Sequence, residues 1–70
     1  MIPFNLERAQ KGVPMYTRNG HTAIFISQLD GGQPAPLVVD VPGHKGLENY
    51  YLDGRNGTVH DTPLDLFMKY

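Results

Sequence analysis

The fold is decided by residues 13–28, which read VPMYTRNGHTAIFISQ. Two runs rich in β-branched and aromatic residues, Val13–Arg18 and His21–Gln28, flank the pair Asn19-Gly20. An Asn-Gly pair between two such runs is the strongest short-range signal of a β-hairpin. It favours a two-residue type I′ turn, in which both residues have positive φ. We therefore predict a hairpin here and expect the rest of the domain to be built on it.

Short β-rich runs continue downstream of the hairpin and alternate with turn clusters rich in Gly, Pro, Asn and Asp. Further strands are predicted at Pro36–Val41 and Leu47–Leu52, and Thr58–His60 is a candidate for the start of a fifth. The connections are too short for the crossovers that parallel pairing needs. The predicted fold is thus mainly β, a small α+β domain: a four- or five-stranded antiparallel meander that forms a curled sheet or small barrel.

A short helix is predicted at the N-terminus, over residues 5–12. Asn5 is suited to cap its first turn, and Gly12 is suited to the left-handed conformation that ends a helix. So short a helix is not stable alone in water, so its apolar face has to pack on the sheet. That face contains Leu6, Ala9 and Val13.

Two positions leave alternatives open. Pro14 cannot donate a ladder hydrogen bond, so the first hairpin strand either lies at a sheet edge or begins after Pro14. Residues 61–70 form either a one-turn helix capped at Asp61 or Thr62, or a closing strand. The apolar character of this end indicates that it packs on the sheet or on another subunit.

Composition limits the classes of protein to which the chain can belong. With 70 residues, 40% hydrophobic and 19% charged, we expect one folded domain over residues 1–70. The absence of cysteine rules out disulfides and Cys-based zinc sites, which makes self-association a natural source of extra stability. Six basic and seven acidic residues give no bulk signal for a nucleic-acid or membrane partner. Without a signal-like or membrane-spanning stretch, we expect a cytoplasmic protein.

Residues with catalytic or metal-binding chemistry are present but form no recognisable motif. Ser27 is the one serine and lies inside a predicted strand, without the glycines of a nucleophile elbow. His21, His44 and His60 lie in or beside turns and lack metal-ligand spacing. We therefore predict no catalytic residues, no metal and no cofactor, and we do not expect an enzyme.

The strands carry more apolar surface than one core uses. Residues 23–26 place Ile24 and Ile26 on one side of their strand and Ala23 and Phe25 on the other. The second side is expected to be covered by the helix and the C-terminus, or by another copy of the chain.

Tyrosine and basic side chains interleave along the same strands and turns. A surface of this kind could stack single-stranded nucleic acid, but acidic neighbours argue against that partner. A protein-binding or self-association role is the better interpretation, since Tyr and Arg are enriched at the centres of protein interfaces. The residues in question are Tyr16, Tyr50 and Tyr51 with Arg18, Lys45 and Arg55.

Four stretches, taken in this order and spacing, resemble small uncharacterised proteins encoded by tailed bacteriophages and prophages. These proteins open with a Leu/Ala-containing helix and a Thr-Arg hairpin and close on Asp-Leu-Phe-Met. The chain differs from them at Met15-Tyr16, where aliphatic residues are usual, and over residues 34–36. The matching stretches are Asn5–Gly12, Thr17–Gly20, Tyr51–Arg55 and Asp65–Met68.

The resemblance implies phage origin, a bacterial host cytoplasm and action by binding. The leading hypothesis is an interaction module that binds or inhibits a host protein, working as a small homo-oligomer. One alternative is an oligomeric protein that binds or sequesters a nucleotide-like small molecule, and a second is a nucleic-acid-binding regulator. The candidate partner-contact residues are Tyr16, Arg18, Tyr51 and Arg55.

Overall fold

The computed structural model describes residues 1–44 and 46–70 and places six antiparallel strands in one curled, unclosed sheet. The strand order is β1-β6-β2-β3-β4-β5, so the strands from both chain ends lie at the same edge of the sheet. One short helix, α1, connects the first two strands. The elements are β1 (Ile2–Pro3), α1 (Leu6–Gln10), β2 (Met15–Thr17), β3 (Thr22–Gln28), β4 (Leu37–Val41), β5 (Gly46–Tyr50) and β6 (Leu66–Met68).

The predicted mainly β, α+β class is confirmed. Strands β2 to β5 form the expected meander, whereas β6 returns to pair with both β2 and β1. The strand count exceeds the predicted four or five because the two chain ends supply short strands to each other. Thr58–His60, the candidate start of a fifth strand, forms bends instead. Strand β2 begins directly after Pro14, as one of the two alternatives required.

The β2–β3 hairpin lies where it was predicted, but the type I′ turn is wrong. Positive φ occurs at Gly20 (91°) and not at Asn19. The Thr17 amide donates to the His21 carbonyl (2.8 Å) and the Gly20 amide to the Thr17 carbonyl (2.9 Å), which encloses a three-residue loop. Such loops are typically a type I turn followed by one left-handed residue. The Thr17 hydroxyl stabilises this wider loop by accepting the His21 amide at 3.0 Å.

The same hydrogen-bond pattern recurs after β5. The Tyr51 amide donates to the Arg55 carbonyl and the Gly54 amide to the Tyr51 carbonyl, both at 2.9 Å. Gly54 has φ of 84° and occupies the position that Gly20 has in the first loop. Strand β5 therefore ends at Tyr50, two residues before the predicted Leu52, because Tyr51 already closes the loop.

Helix α1 is shorter than the predicted 5–12 but has the expected ends. The Asn5 side chain accepts the Arg8 amide at 3.0 Å, and Gly12 adopts φ of 88°. Ala9 is buried, and Leu6 and Val13 pack against the core. The helix thus covers part of the inner side of the sheet.

The core lies on the side of the sheet that α1 covers and is formed by alternate residues of the strands. In β4 the alternation is complete: Leu37, Val39 and Val41 are buried while Asp40 points the other way. The other buried apolar residues are Ala9, Met15, Ala23, Tyr50, Leu66 and Met68.

The C-terminal end combines features of both predicted alternatives. The Asp65 amide donates to the Thr62 carbonyl at 3.2 Å, which makes a single turn, and β6 follows directly. Residues Thr62–Asp65 are fixed to the β2–β3 loop, because the Arg18 amide donates to the Asp65 carbonyl (2.8 Å) and the Asn19 amide to the Pro63 carbonyl (2.9 Å).

The second side of the sheet is left open by residues 1–44 and 46–70. Helix α1 packs on the core side and β6 joins the sheet itself, so neither covers it. Ile24 and Leu47 are 47% and 64% exposed, and Ile26, beside a register shift in β3, is 51% exposed. Of the two coverings predicted for this side, the intramolecular one is wrong.

In the part of the chain that the structure describes, α1 is the one helix, and it is too short to cross a bilayer. Lys45, one of the basic residues singled out in the sequence, lies outside the described residues.

Candidate binding site

The open side of the sheet, called the outer face below, is defined by the strand register. Side chains that are paired across strands lie on the same face, and residues two apart along one strand share it. Phe67, Tyr16 and Thr22 are partners in one row across β6, β2 and β3. Ile24, Asp40 and Leu47 are partners in the next row, across β3, β4 and β5. The outer face thus combines aromatic and aliphatic side chains on adjacent strands.

Tyr16, Phe67 and Arg18 stack at one end of the outer face. The rings of Tyr16 and Phe67 have centroids 6.1 Å apart and are tilted by 35°. The Arg18 guanidinium carbon lies 4.9 Å from the centroid of Phe67, within the range of a cation–π contact. All three side chains are half-buried, so the stack is held in place yet accessible to a partner.

Arg18 is fixed by the C-terminal turn. Its Nε donates to the Thr62 carbonyl at 3.1 Å, and its Nη2 lies 3.3 Å from Oδ2 of Asp65. Since the backbone of Arg18 is bonded to the same turn, both ends of the residue are held. A side chain positioned in this way loses little conformational entropy when it contacts a partner.

Asp65 is a buried carboxylate whose hydrogen-bonding capacity is filled. Oδ1 accepts from the Asn56 amide (2.9 Å) and the Thr62 hydroxyl (2.8 Å), and Oδ2 accepts from the Thr62 amide (3.0 Å) and Arg18. Burial alone raises the pKa of Asp65, but these bonds outweigh it and hold the pKa below its ordinary value. Asp65 is therefore a structural anion that organises the turn.

Arg55 approaches Arg18 through a shared carboxylate. Nη2 of Arg55 lies 3.4 Å from Oδ1 of Asp61, and Nη2 of Arg18 lies 3.7 Å from Oδ2 of Asp61. The Asp61 side chain is 70% exposed, whereas that of Asp65 is 4% exposed. Within the described residues, Nε of Arg55 is shielded from solvent and has no hydrogen-bond partner. We call Arg18, Arg55, Asp61 and Asp65 the arginine cluster.

A cavity of about 170 Å³, open to solvent, adjoins the arginine cluster. All four members of the cluster line it, together with the rings of Phe4 and Phe67. Two cations, three carboxylates (Asp53 is the third) and two phenylalanines therefore meet in one depression beside the outer face.

Three of the four contact residues predicted from the sequence are brought together. Tyr16, Arg18 and Arg55 are connected through Phe67 and Asp61. Tyr51 is half-buried and is joined to Arg55 by the backbone hydrogen bond of its loop. That these residues contact a partner stays a prediction.

One residue expected at the surface lies in the core, and two residues of the site were not predicted from the sequence. Tyr50, grouped with the surface tyrosines, is fully buried, and its hydroxyl donates to the Leu64 carbonyl at 2.7 Å. It is therefore a core residue and not part of a stacking surface. Phe67 and Asp61 belong to the site but were not predicted as site residues. The apolar character of residues 64–68 was the one sequence signal for Phe67.

A second cavity, of about 250 Å³, lies between the end of α1 and strands β2 and β3 and is lined by apolar residues and Thr22. It presents no charged group to orient a ligand. The histidine beside His21 is His44, with ring centroids 6.4 Å apart. Across residues 1–44 and 46–70, no three His, Cys, Asp or Glu side chains are grouped to hold a metal ion.

Comparison of the chain with protein-family models, curated proteins and solved structures finds no match. The outer face and the arginine cluster are therefore the features of the molecule that bear on its function.

Proposed function

We propose that this protein acts by binding another protein, and that the contact surface is the outer face together with the arginine cluster. The observation that carries the proposal is the Tyr16–Phe67–Arg18 stack, which is rigidly held and stands at the edge of an open apolar face. Buried aromatic and arginine anchors dominate the energetics of protein interfaces.

The charges on this surface indicate the chemistry of the partner. Arg18 and Arg55 lie at one end, and Asp40 lies between the exposed Ile24 and Leu47 at the other. A partner that fits presents an acidic group toward the arginines and an apolar patch toward the isoleucine and leucine. Such complementarity sets the orientation of binding and excludes wrong partners.

The resemblance to small phage proteins supports a bacterial host protein as the partner, since such proteins commonly occupy host targets. That support is an analogy and is independent of the geometry. Both arguments favour action by binding, and the resemblance alone implies the bacterial cytoplasm as its place.

Site-specific photo-crosslinking in bacterial cells tests the proposal. The photoreactive residue is introduced as Tyr16→p-benzoylphenylalanine on the outer face. The matched control is Tyr70→p-benzoylphenylalanine, because Tyr70 is 65% exposed and lies beside α1, where the Arg8 guanidinium contacts its carbonyl. We expect a discrete adduct with another protein from position 16 and none from position 70.

Equal adducts from both positions would contradict the proposal. An adduct from position 16 that contains two copies of this chain and no other protein would also contradict it, and would identify the outer face as a self-association surface.

A further inference from the structure

Of the two carboxylates in the arginine cluster, one is held much more weakly than the other. Asp61 makes one long contact with each guanidinium, at 3.4 and 3.7 Å, and is largely exposed. Exposed ion pairs of this kind contribute little to stability. Asp65, by contrast, is buried and accepts four hydrogen bonds.

Both arginines retain donors for another acceptor. A guanidinium has five N–H donors. Arg18 uses Nε and Nη2, whereas Arg55 uses Nη2 alone among the described residues. The carboxylate of Asp61 thus lies between two guanidiniums and leaves several of their N–H donors free among the described residues.

The neighbouring cavity supplies room and apolar walls for a ligand group. Its volume of about 170 Å³ compares with about 30 Å³ per water molecule in the liquid. Phe4 and Phe67 line it next to the arginines, and the carboxylates of Asp53, Asp61 and Asp65 line it as well. The free guanidinium donors and the two phenylalanines suit a carboxylate attached to an apolar group, provided that this carboxylate displaces Asp61.

We infer that Asp61 is an internal stand-in for a ligand carboxylate, and that the site between Arg18 and Arg55 binds an acidic peptide group in its place. The inference deepens the proposed function and rests on it, since the carboxylate would belong to the protein partner. When the partner binds, Asp61 moves to solvent and the incoming carboxylate takes its two guanidinium contacts, while an adjacent apolar side chain packs on Phe67.

This role for Asp61 explains why the arginine cluster contains a carboxylate that contributes little to the stability of the fold. Asp61 keeps the two like-charged guanidiniums together in the free protein and competes with weak anions. Removing its charge therefore has to strengthen binding of an external carboxylate, which is the opposite of what a purely structural role would give.

The test is a titration followed by amide NMR shifts, with N-acetylphenylalanine as the carboxylate probe and N-acetylphenylalanine amide as its uncharged match. We expect saturable shifts at Arg55, Asn56, Thr62 and Phe67 with the acid and none with the amide. In Asp61→Asn the affinity for the acid rises about fivefold, the effect of removing a like charge about 4 Å away in water. Inorganic phosphate, offered as a second anion, binds more weakly than the acid.

Two cation variants complete the test. Arg55→Gln abolishes binding of the acid, and Lys11→Gln, an equal charge change at the residue that follows α1, leaves it unchanged. If Arg55→Gln does not fold, Arg55→Lys serves instead and binds the acid more weakly than the parent chain, since an ammonium lacks the planar fork of donors.

The inference is overturned by unchanged or weaker binding in Asp61→Asn, by equal shifts with the amide, or by phosphate binding as tightly as the acid. These outcomes are distinct from failure of the proposed function. A carboxylate subsite that works while no protein is crosslinked from position 16 would remove the proposed function and leave the subsite. A protein crosslinked from position 16, together with no binding of the carboxylate probe, would support the proposed function and remove the subsite.

Discussion

Arg18 and Asp65, 47 positions apart in the sequence, form an ion pair at 3.3 Å that joins the tip of the β2–β3 hairpin to the C-terminal turn. One partner is buried and the other is half-exposed. The pair serves both the fold and the site, because it fixes the guanidinium that stacks on Phe67.

Asp65→Asn is expected to lower the free energy of unfolding by about 3 kcal/mol at pH 7. The amide nitrogen of Asn cannot accept the bonds that one carboxylate oxygen now takes, and the charge opposite Arg18 is lost. Urea unfolding of both chains measures the difference. Thr58→Ala, at an exposed bend, is the control and should change the free energy by less than about 0.5 kcal/mol. A loss for Asp65→Asn no larger than that of the control would contradict this account of the turn.

The acid sensitivity of the fold should depend on the same residue. The pKa of Asp65 is lowered in the folded chain, below the value of about 3.9 of an unfolded Asp. The unfolded state therefore binds more protons in the window between the two values, and the stability from Asp65 is complete at neutral pH and lost as the pH falls below about 5. Unfolding at a series of pH values should show the parent chain and Asp65→Asn converging toward pH 2. Parallel pH profiles would show that Asp65 does not carry this effect.

Tyr50 should govern stability at the opposite end of the pH scale. Burial raises the pKa of its hydroxyl above its usual value, with further contributions from Glu48 and Asp65. A raised folded pKa gives stability that is complete below about pH 10 and lost at higher pH. Tyr50→Phe should lower the free energy of unfolding by about 1 kcal/mol at pH 7, since the bond to Leu64 is removed. Above pH 10 the free energy of unfolding of Tyr50→Phe should fall less steeply with pH than that of the parent chain. Equal alkaline profiles for the two chains would argue against this role.

Gly54 and Gly12 provide a matched pair of substitutions. Both have positive φ, at 84° and 88°. A Cβ at Gly12 meets nothing within 4 Å, whereas one at Gly54 overlaps the ring of Phe4. Gly12→Ala should therefore cost only backbone strain, about 1 kcal/mol, and Gly54→Ala about 3 kcal/mol, measured by thermal or urea unfolding. Equal costs would mean that Phe4 does not pack on this loop.

The outer face should tolerate polar substitution without loss of stability. Ile24→Lys places a cation across from Asp40 and should change the free energy of unfolding by less than about 0.5 kcal/mol. Leu37→Ala, in the core, should cost about 3 kcal/mol. A parent chain whose melting temperature rises with protein concentration, with Ile24→Lys removing that dependence, would show that copies of the chain cover this face instead.

Much of the fold could be predicted because its signals are local. The hairpin position, the Asn5 cap and the alternation of Leu37, Val39 and Val41 each depend on residues within a few positions of one another. The predicted turn type was wrong because a wider loop is stabilised by hydrogen bonds that the loop amides donate to the carbonyls of Pro63 and Asp65, and by the Thr17 hydroxyl, which accepts the His21 amide. Local sequence at Asn19-Gly20 does not contain that information.

The remaining features depend on pairing between distant segments. Strands β1 and β6 have two and three residues, too few to show an alternating pattern. The site has the same difficulty: Arg18 was singled out for its residue type, but its partner Asp61 becomes visible only when the C-terminal turn packs on the hairpin. The candidate contact residues could be chosen by residue type, but the residues that lie beside them depend on the tertiary structure.

The measurement that tests the central claim most directly is the affinity of the protein crosslinked from position 16 for three chains: the parent, Ile24→Lys and Lys11→Gln. Calorimetric titration should show at least about tenfold weaker binding for Ile24→Lys, the loss expected for a residue at the centre of an interface, and no change for Lys11→Gln. Equal affinity for all three chains would contradict the claim that the outer face is the binding surface.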